Sequence, residues 1–307
     1  MAISSADRAK RTLSYQNSRG FVTGTFQAMA GPCEVIVETN DIPLAKRVCQ
    51  TAAEEAWRIE TTYSRYRQDN IIFQINNAQG QSIEVDEETS KLIDFADLCY
   101  QLSDGLFDIT SGVLGKLWKF DGSCNIPDAA AVKQLLELVG WHKAKWKKPF
   151  LQLPSQMAID LGGIGKEFAV DNAALLVNKI CDVPVLINFG GDIYANKPPI
   201  SRPHWTIGIE PIALNGDKQP DIGLRYGAIA TSGDSKRYLT DHGKILSHVL
   251  DPTTGWPVVD AAGSITVMAE NCTQAGILST LAMLQGADAE VFLQQQKVKH
   301  WIQRRKS

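Results

Sequence analysis

Five stretches of the chain show the apolar spacing of amphipathic helices. In the first stretch, apolar side chains return every fourth residue, at Leu44, Val48, Ala52 and Ala56, which lines up one face of a helix. The same kind of pattern predicts helices over 43–63, 87–103, 129–139, 166–180 and 274–284. Gly105 follows the second helix and supplies the permissive backbone on which helices often end.

Short runs rich in β-branched residues predict strands between these helices. They lie at 34–38, 183–189, 205–209, 227–231, 246–250 and 264–269, with two short strands within 150–159 around Pro154. Strands and helices mix without a strict βαβ alternation or a repeat, which favours an α+β fold with mixed or antiparallel sheets packed with helices. The first residues are polar and basic, so we expect a flexible N-terminal segment over 1–20 and a folded domain over 21–307.

Composition and charge exclude several classes of protein. The chain has 307 residues, a formal net charge of −3 and 44% hydrophobic residues, which is an ordinary globular composition. Without a concentrated basic face, nucleic acid is not an expected partner. No apolar run reaches the roughly 18 residues that a membrane helix needs, and the first residues contain no signal-peptide core. The six cysteines form no C-x-x-C pair, so we expect free thiols in a reducing cytoplasm.

Three glycine-rich turns follow apolar segments and place glycine beside Asp or Ser. They lie at 160–167 (DLGGIGKE), 188–192 (NFGGD) and 231–234 (TSGD). Glycine lets backbone N–H groups approach a ligand closely, and the first turn opens onto a predicted helix, whose N-terminus favours anions. One such turn alone is usually structural, but three together favour a nucleotide or phosphate ligand, with contacts at Gly191, Asp192 and Ser232. The first turn lacks the G-x-G-x-x-G spacing of dinucleotide-binding folds.

His248 stands at the end of a predicted strand, close before Asp251. A histidine held by a carboxylate can accept a proton, although a structural, hydrogen-bonded histidine is an equally good interpretation. No H-x-x-x-H or Cys/His cluster indicates zinc. Oxygen ligands that suit Mg²⁺ are available at Asp160, Asp192, Asp234, Asp251, Ser279 and Thr280. Hydroxyls inside a helix more often bond to the helix backbone, so the residues alone predict only a soluble enzyme that handles a nucleotide phosphate with Mg²⁺.

Seven segments, taken in order, resemble the FAD:protein FMN transferases, the ApbE-like flavin transferases. They are 28–34 (AMAGPCE), 63–69 (YSRYRQD), 104–110 (DGLFDIT), 160–166 (DLGGIGK), 190–192 (GGD), 231–234 (TSGD) and 248–255 (HVLDPTTG). Each segment is weak alone, whereas the ordered set spans most of the chain and is specific. The resemblance implies one large α+β domain, related to the T-fold.

The resemblance also implies a reaction. A Thr or Ser hydroxyl of an acceptor flavoprotein attacks the FMN phosphorus of FAD, AMP leaves, and FMN remains in a phosphoester bond. This displacement needs in-line positioning, a cation such as Mg²⁺ and a base near the hydroxyl. His248 matches the family histidine that we expect to act as general base, with Asp251 beside it. By resemblance, FAD contacts Met29, Tyr66, Leu106, Phe107, Asp108, Asp160, Lys166 and Leu250, with aromatic and apolar side chains around the rings and the lysine facing phosphate.

Two departures from the family pattern bear on function. The family carries an Asp on the last helix, four residues before a Thr, so that both oxygens face one Mg²⁺, whereas this chain has Gly276 and Thr280. The implied metal site is then Gly163, through its carbonyl, with Gly276, Ser279 and Thr280, all uncharged. We therefore expect weak Mg²⁺ binding, assisted by the FAD pyrophosphate, unless another carboxylate takes part. The second departure is the missing export signal, which predicts action on an acceptor in the cytoplasm or on a flavoprotein before it is exported.

Two other functions remain open at the level of sequence. The missing carboxylate at Gly276 favours an FAD-binding protein without transferase activity, such as a flavin store or chaperone. Alternatively, a Mg²⁺-dependent pyrophosphatase would hydrolyse FAD to FMN and AMP, with water in place of the acceptor hydroxyl.

Overall fold

The computed structural model describes residues 11–212, 221–233, 238–241 and 244–305. Its strands are β1 Ser14–Ser18, β2 Phe21–Ala28, β3 Gly31–Glu38, β4 Ser82–Glu84, β5 Lys145–Lys147, β6 Phe150–Gln152, β7 Val185–Phe189, β8 Asp192–Ala195, β9 Trp205–Ile207, β10 Ile222–Leu224, β11 Gly227–Gly233, β12 Tyr238–Asp241, β13 Lys244–Ser247, β14 Ser264–Ala269 and β15 Lys299–Gln303. Eight of them form one sheet in the order β1-β2-β3-β7-β8-β11-β14-β15. Every neighbouring pair in this sheet is antiparallel.

The helices are α1 Ile42–Tyr63, α2 Ile71–Asn76, α3 Glu87–Leu102, α4 Ala129–Leu136, α5 Gly165–Ile180, α6 Cys272–Leu284 and α7 Ala289–Gln296, with 3₁₀ helices at Ile109–Lys116, Trp141–Lys143 and Gly286–Asp288. The first begins where Asp41 Oδ1 accepts a hydrogen bond from Leu44 N at 3.0 Å, because such a cap satisfies a free N–H of the first turn. Helix α1 packs on β2 and on α5, and α6 packs on β11, β14 and α5. Helix α5 therefore lies between the other two.

Both faces of the large sheet are covered. Strand β2 buries every second residue, including Val22 and Phe26, as the period of a strand requires when one face packs on a core. One face packs against the helices through Val35 and Ile187. On the other face, residues of β7 and β8 pack with Trp205 of β9. The helices thus occupy one side of the sheet, and the candidate site lies on their side at the end of the strands.

The α+β fold class with antiparallel sheets and helices in a single domain is confirmed. All five predicted helices are present. Within 150–159 the prediction of two strands is wrong: only β6 forms there, and it pairs with β4 and β5, because Pro154 and the turn after it lie beyond its end. The segment over 1–20 that was predicted to be flexible contains a strand at 14–18, which pairs with β2 and forms the edge of the sheet.

The cysteines are free thiols, as expected. Four are buried, Cys181 is partly exposed and Cys124 is exposed. Burial raises the pKa of Cys33 to about 12, so this thiol has no tendency to ionise near neutral pH. Within the described ranges, no helix combines the length and apolar character needed to cross a membrane.

Candidate functional site

Two tight hairpins place the predicted ligand-binding turns side by side. Met29 and Ala30 connect β2 to β3 with φ of 51° and 60°, and Gly190 and Gly191 connect β7 to β8 with φ of 62° and 101°. Positive φ at both central positions is the geometry of a type I′ turn, which suits the twist of a hairpin. Because β3 pairs with β7, the two turns meet at one end of the sheet, where Gly190 N donates to Pro32 O at 3.0 Å.

Lys166 and Asp192 form an ion pair beside these turns. Lys166 lies in the first turn of α5, and its Nζ is 2.7 Å from Asp192 Oδ2 and 3.4 Å from Gly190 O. The Asp192 side chain is only 1% exposed, whereas that of Lys166 is 29% exposed. Burial lowers the pKa of Lys166, but the Asp192 and Glu167 carboxylates more than offset this and hold that pKa above its ordinary value. The ammonium is therefore a fixed positive charge with one side open to solvent.

Glu167, the next residue of α5, fills the space beside Gly276 of α6. A Cβ atom at position 276 would lie 2.4 Å from Glu167 Cγ and 2.7 Å from Glu167 Oε1. Glu167 is 8% exposed, and its Oε2 has no hydrogen-bond partner among the described residues. Burial and the charge of Asp192 raise the pKa of Glu167. A buried carboxylate thus lies at the contact between the two helices without a bonded partner at one oxygen.

Three hydroxyl groups meet where β11 approaches α6. Ser232 Oγ is 2.7 Å from Ser279 Oγ and 3.1 Å from Thr280 Oγ1. Ser279 Oγ also donates to Gly276 O at 2.9 Å, which is the backbone bond expected of a serine inside a helix. The predicted residues Ser232, Gly276, Ser279 and Thr280 are therefore brought together, one helical turn from the Glu167 carboxylate.

Asp160 and Tyr66 are joined through Arg65. Arg65 Nη1 lies 2.7 Å from Asp160 Oδ2 and donates to Gly112 O at 3.2 Å. The guanidinium carbon of Arg65 stands 5.3 Å from the centroid of the Tyr66 ring. This ring is 81% exposed, although large aromatic side chains usually bury most of their surface. The turn after Asp160 thus has a solvent-facing aromatic ring and a positive charge next to it.

The segment from Leu106 to Asp108 lies under the first glycine-rich turn. Phe107 is buried, and its ring would stand 3.2 Å from a Cβ atom at Gly163. Asp108 accepts hydrogen bonds from Thr110 N, at 2.7 Å, and from Trp141 N, at 2.9 Å. The Asp108 carboxylate therefore holds the start of the 3₁₀ helix to the Trp141 turn, and Leu106 remains partly exposed.

His248 and Leu250 follow β13 and lie next to the apolar cluster that includes Trp118 and Phe120. The His248 ring packs edge-on to Phe120 with centroids 6.2 Å apart, and Leu250 packs against the cluster around Trp118. Asp251 Oδ1 accepts from Thr253 N and Oγ1 at 2.7 Å and 2.6 Å. The Asp251 carboxylate thus closes the Pro/Gly turn that follows His248 and Leu250 in the chain.

The donor set is poor in charged metal ligands. Among the described residues, no group of three or more His, Cys, Asp or Glu side chains is arranged to hold a metal ion. Asp234, one of the carboxylates considered for Mg²⁺, lies outside the described residues. Mg²⁺ is often bound by one or two carboxylates together with water and substrate phosphates, and the hydroxyls near Glu167 fit that pattern.

Sequence reasoning missed two residues that the structure places in this region. Arg65 and Glu167 both lie inside segments that carry the resemblance, but neither received a role. The sequence shows a glutamate directly after Lys166 and a glycine at position 276. Nothing in a single sequence says that these two positions touch.

The fold and this site define an α+β domain in which turns far apart in the sequence meet at one end of a sheet, beside a lysine, and in which three hydroxyls meet where β11 approaches α6. The model of the ApbE family matches residues 29–302, and the chain belongs to that family. Among its curated relatives are FAD:protein FMN transferases of Klebsiella pneumoniae, 30% identical over 85% of this chain and 81% of that one, and of Haemophilus influenzae, 28% identical over 75% and 70%. The resemblance stated from the sequence is confirmed.

Solved structures agree with this assignment. The ApbE protein of Thermotoga maritima superposes with a TM-score of 0.82 at 27% identity, over 95% of this chain and 94% of that one. The apo form of the Pseudomonas stutzeri flavinyl transferase ApbE has a TM-score of 0.81 at 22% identity, over 97% and 92%, which supports the fold.

Proposed function

We infer that this chain is an FAD:protein FMN transferase that moves FMN to a Thr or Ser hydroxyl of an acceptor flavoprotein. The observation that carries the inference is the meeting of the glycine-rich turns around the Lys166–Asp192 pair, in a chain of the ApbE family. In the reaction, the acceptor oxygen forms a bond to the FMN phosphorus, the bond to the AMP oxygen breaks, and AMP takes the electron pair. The hydroxyl proton passes to a base.

The chain offers groups for both ends of FAD. Lys166 keeps one side open beside the start of α5, so its charge can face a phosphate, and the helix N-terminus adds a favourable field for an anion. The exposed Tyr66 ring provides a flat surface for a ring of the substrate, and Met29 and Leu106 lie partly exposed to add apolar contacts. Phe107 supports this surface from below. These roles agree with the contacts expected from the resemblance.

A Mg²⁺ ion fits the site by the chemistry of its donors. By the resemblance, the hydroxyls of Ser279 and Thr280 and the carbonyl of Gly163 would hold it. A carboxylate of Glu167, with one oxygen that has no hydrogen-bond partner among the described residues, lies beside Gly276 on the helix that carries both hydroxyls. When bound, the ion would neutralise charge that develops on the pyrophosphate oxygens. The free thiols of the chain agree with action on an acceptor in the cytoplasm.

We assign His248 as the general base, three residues before the Asp251 that closes the following turn. His248→Ala should abolish transfer and leave FAD affinity nearly unchanged, because a base acts on the transition state more than on the bound substrate. The measurement is the intact mass of a candidate acceptor domain after incubation with FAD and Mg²⁺, with AMP followed in parallel and FAD affinity measured by flavin fluorescence. Transfer at the parent rate by this variant would refute the assignment.

The same mass measurement separates the three candidate functions for the parent protein. A mass gain of one FMN with matching AMP establishes the transferase. AMP without a mass gain identifies a pyrophosphatase. FAD binding with neither product, over several acceptor domains, identifies a flavin-binding protein, the alternative that Gly276 favours.

A further inference from the structure

Helices α5 and α6 carry residues of complementary size at the point where they touch. Helix α6 has no side chain at Gly276, and helix α5 sends the Glu167 side chain into the space left free. The 2.4 Å from a Cβ at position 276 to Glu167 Cγ is shorter than two unbonded carbon atoms tolerate, since their optimal separation is about 3.5–4.0 Å. A side chain at position 276 would therefore clash with Glu167 in its present position.

The position of Glu167 is not explained by the packing of the fold. A carboxylate that only stabilises the first turn of a helix can do so at the surface, whereas Glu167 is 8% exposed. Burying a polar atom without a hydrogen bond is unfavourable, and Oε2 of Glu167 is such an atom among the described residues. Asp192 adds a second buried carboxylate, and Lys166 supplies a single positive charge for both.

The missing partner has the properties of a cation. Glu167 reaches the α6 surface at Gly276, and Thr280 follows one turn later on the same face, where side chains four residues apart are neighbours. Ser279 Oγ donates to the carbonyl of Gly276, and Ser232 Oγ is 2.7 Å from Ser279 Oγ, so both hydroxyls lie near that glycine. One carboxylate with hydroxyl oxygens, completed by substrate phosphates, is a donor set that Mg²⁺ accepts.

We propose that Glu167 of α5 supplies the carboxylate ligand of the divalent cation, in place of the aspartate that the family carries on the helix corresponding to α6. The proposal rests on the transferase function inferred above and names the residue that completes its metal site. The Glu167 carboxylate oxygen Oε1 lies 2.7 Å from the point where a side chain at position 276 would begin. The chain therefore keeps a charged metal ligand despite Gly276.

The test measures metal binding directly, with Mn²⁺ as the probe. Binding of Mn²⁺ to the full chain in the presence of FAD is followed by electron paramagnetic resonance and by calorimetry, and Mg²⁺ is titrated in thermal unfolding. Glu167→Gln should weaken Mn²⁺ affinity at least 10-fold, as expected for loss of a charged ligand, and should remove the increase in Tm that Mg²⁺ gives the parent. Glu84→Gln, an exposed carboxylate on β4, is the matched control and should bind Mn²⁺ like the parent.

A reciprocal exchange tests the relocation itself. Gly276→Asp alone should lower Tm because the new side chain collides with Glu167. The double variant Glu167→Gly/Gly276→Asp should regain both Tm and Mn²⁺ affinity. A folded Glu167→Gln variant with parent affinity, or a folded double variant that binds no Mn²⁺, would overturn the proposal.

The outcomes also separate this proposal from the proposed function. If the parent transfers FMN but Glu167→Gln leaves Mn²⁺ affinity unchanged, the transferase stands and the ligand assignment falls. If Mn²⁺ affinity depends on Glu167 but no acceptor gains FMN, the ligand assignment stands and the transferase falls.

Discussion

At the scale of single residues, the Lys166–Asp192 ion pair is the electrostatic interaction in the site whose loss we expect to cost the most stability. The Asp192 carboxylate is almost fully buried, and the only cation placed against it by an ion pair among the described contacts is Lys166, at 2.7 Å. Breaking a buried pair by removing one partner is far more costly than neutralising both, because a lone buried charge remains. The pair therefore stabilises the fold, in addition to any contact that Lys166 makes with a phosphate.

We predict that Lys166→Met lowers the free energy of unfolding by about 3–5 kcal/mol, the usual effect of leaving a buried charge alone. The double variant Lys166→Met/Asp192→Asn should recover most of that loss. Urea unfolding followed by circular dichroism gives both values. A loss below about 1 kcal/mol for the single variant, the range of exposed ion pairs, would mean that the pair contributes no more than a surface contact.

At the scale of elements, the turn between β2 and β3 holds two non-glycine residues in a left-handed conformation. Met29 and Ala30 have φ of 51° and 60°, which costs an L-residue roughly 1–2 kcal/mol. The surrounding structure keeps this turn in place: Met29 N donates to Glu60 Oε1 of α1 at 2.7 Å, and β2 and β3 pair up to Ala28 and Gly31. The strain is thus located at an expected FAD contact.

Ala30→Gly should raise the free energy of unfolding by about 1 kcal/mol, because glycine adopts positive φ without the steric penalty. The control is Ala130→Gly in the first turn of α4, where the backbone is right-handed and glycine should lower stability by roughly 0.5–1 kcal/mol. Both are measured by urea unfolding. If Ala30→Gly were destabilising by as much as the control, the left-handed turn would not be a source of strain.

At the scale of the whole molecule, the order of the strands in the sheet determines how strongly the amides of each strand are protected from hydrogen exchange. Strand β1 is the outer edge of the large sheet and all five of its residues are exposed. Strand β7 lies between β3 and β8 and is largely buried under α5. Local opening takes place where few apolar contacts hold the backbone, whereas central strands exchange only by global unfolding.

Hydrogen exchange followed by mass spectrometry should therefore find amides of β7 and β8 exchanging slowest and those of β1 fastest, with β15 at the other edge also fast. Added FAD with Mg²⁺ should slow exchange in the turns at 190–191 and 29–30 and leave β1 unchanged. Equal exchange rates for β1 and β7 would contradict the sheet order on which the site is built.

The sequence by itself determined the local structure and the family. Helix α1 can be predicted from the sequence because its apolar side chains repeat with the period of a helix, and that period depends only on near neighbours in the chain. The ordered motifs around Gly163, Gly191 and His248 identified the ApbE family for the same reason, since each motif is a short local segment. Strands β1, β2, β8 and β15 were not predicted. The runs of β1, β8 and β15 are short or polar and carry little periodic signal, whereas β2 does alternate and was overlooked.

Only the tertiary structure decided which of these segments touch. Arg65 meets Asp160 across 95 residues of chain, and Glu167 enters the space beside Gly276 because α5 and α6 pack against each other. From the sequence, the glycine at position 276 predicts a weak metal site, whereas the packing of the two helices places the Glu167 side chain in the space beside that glycine. Such contacts depend on strand order and helix docking, which involve the whole chain, so no local pattern contains them.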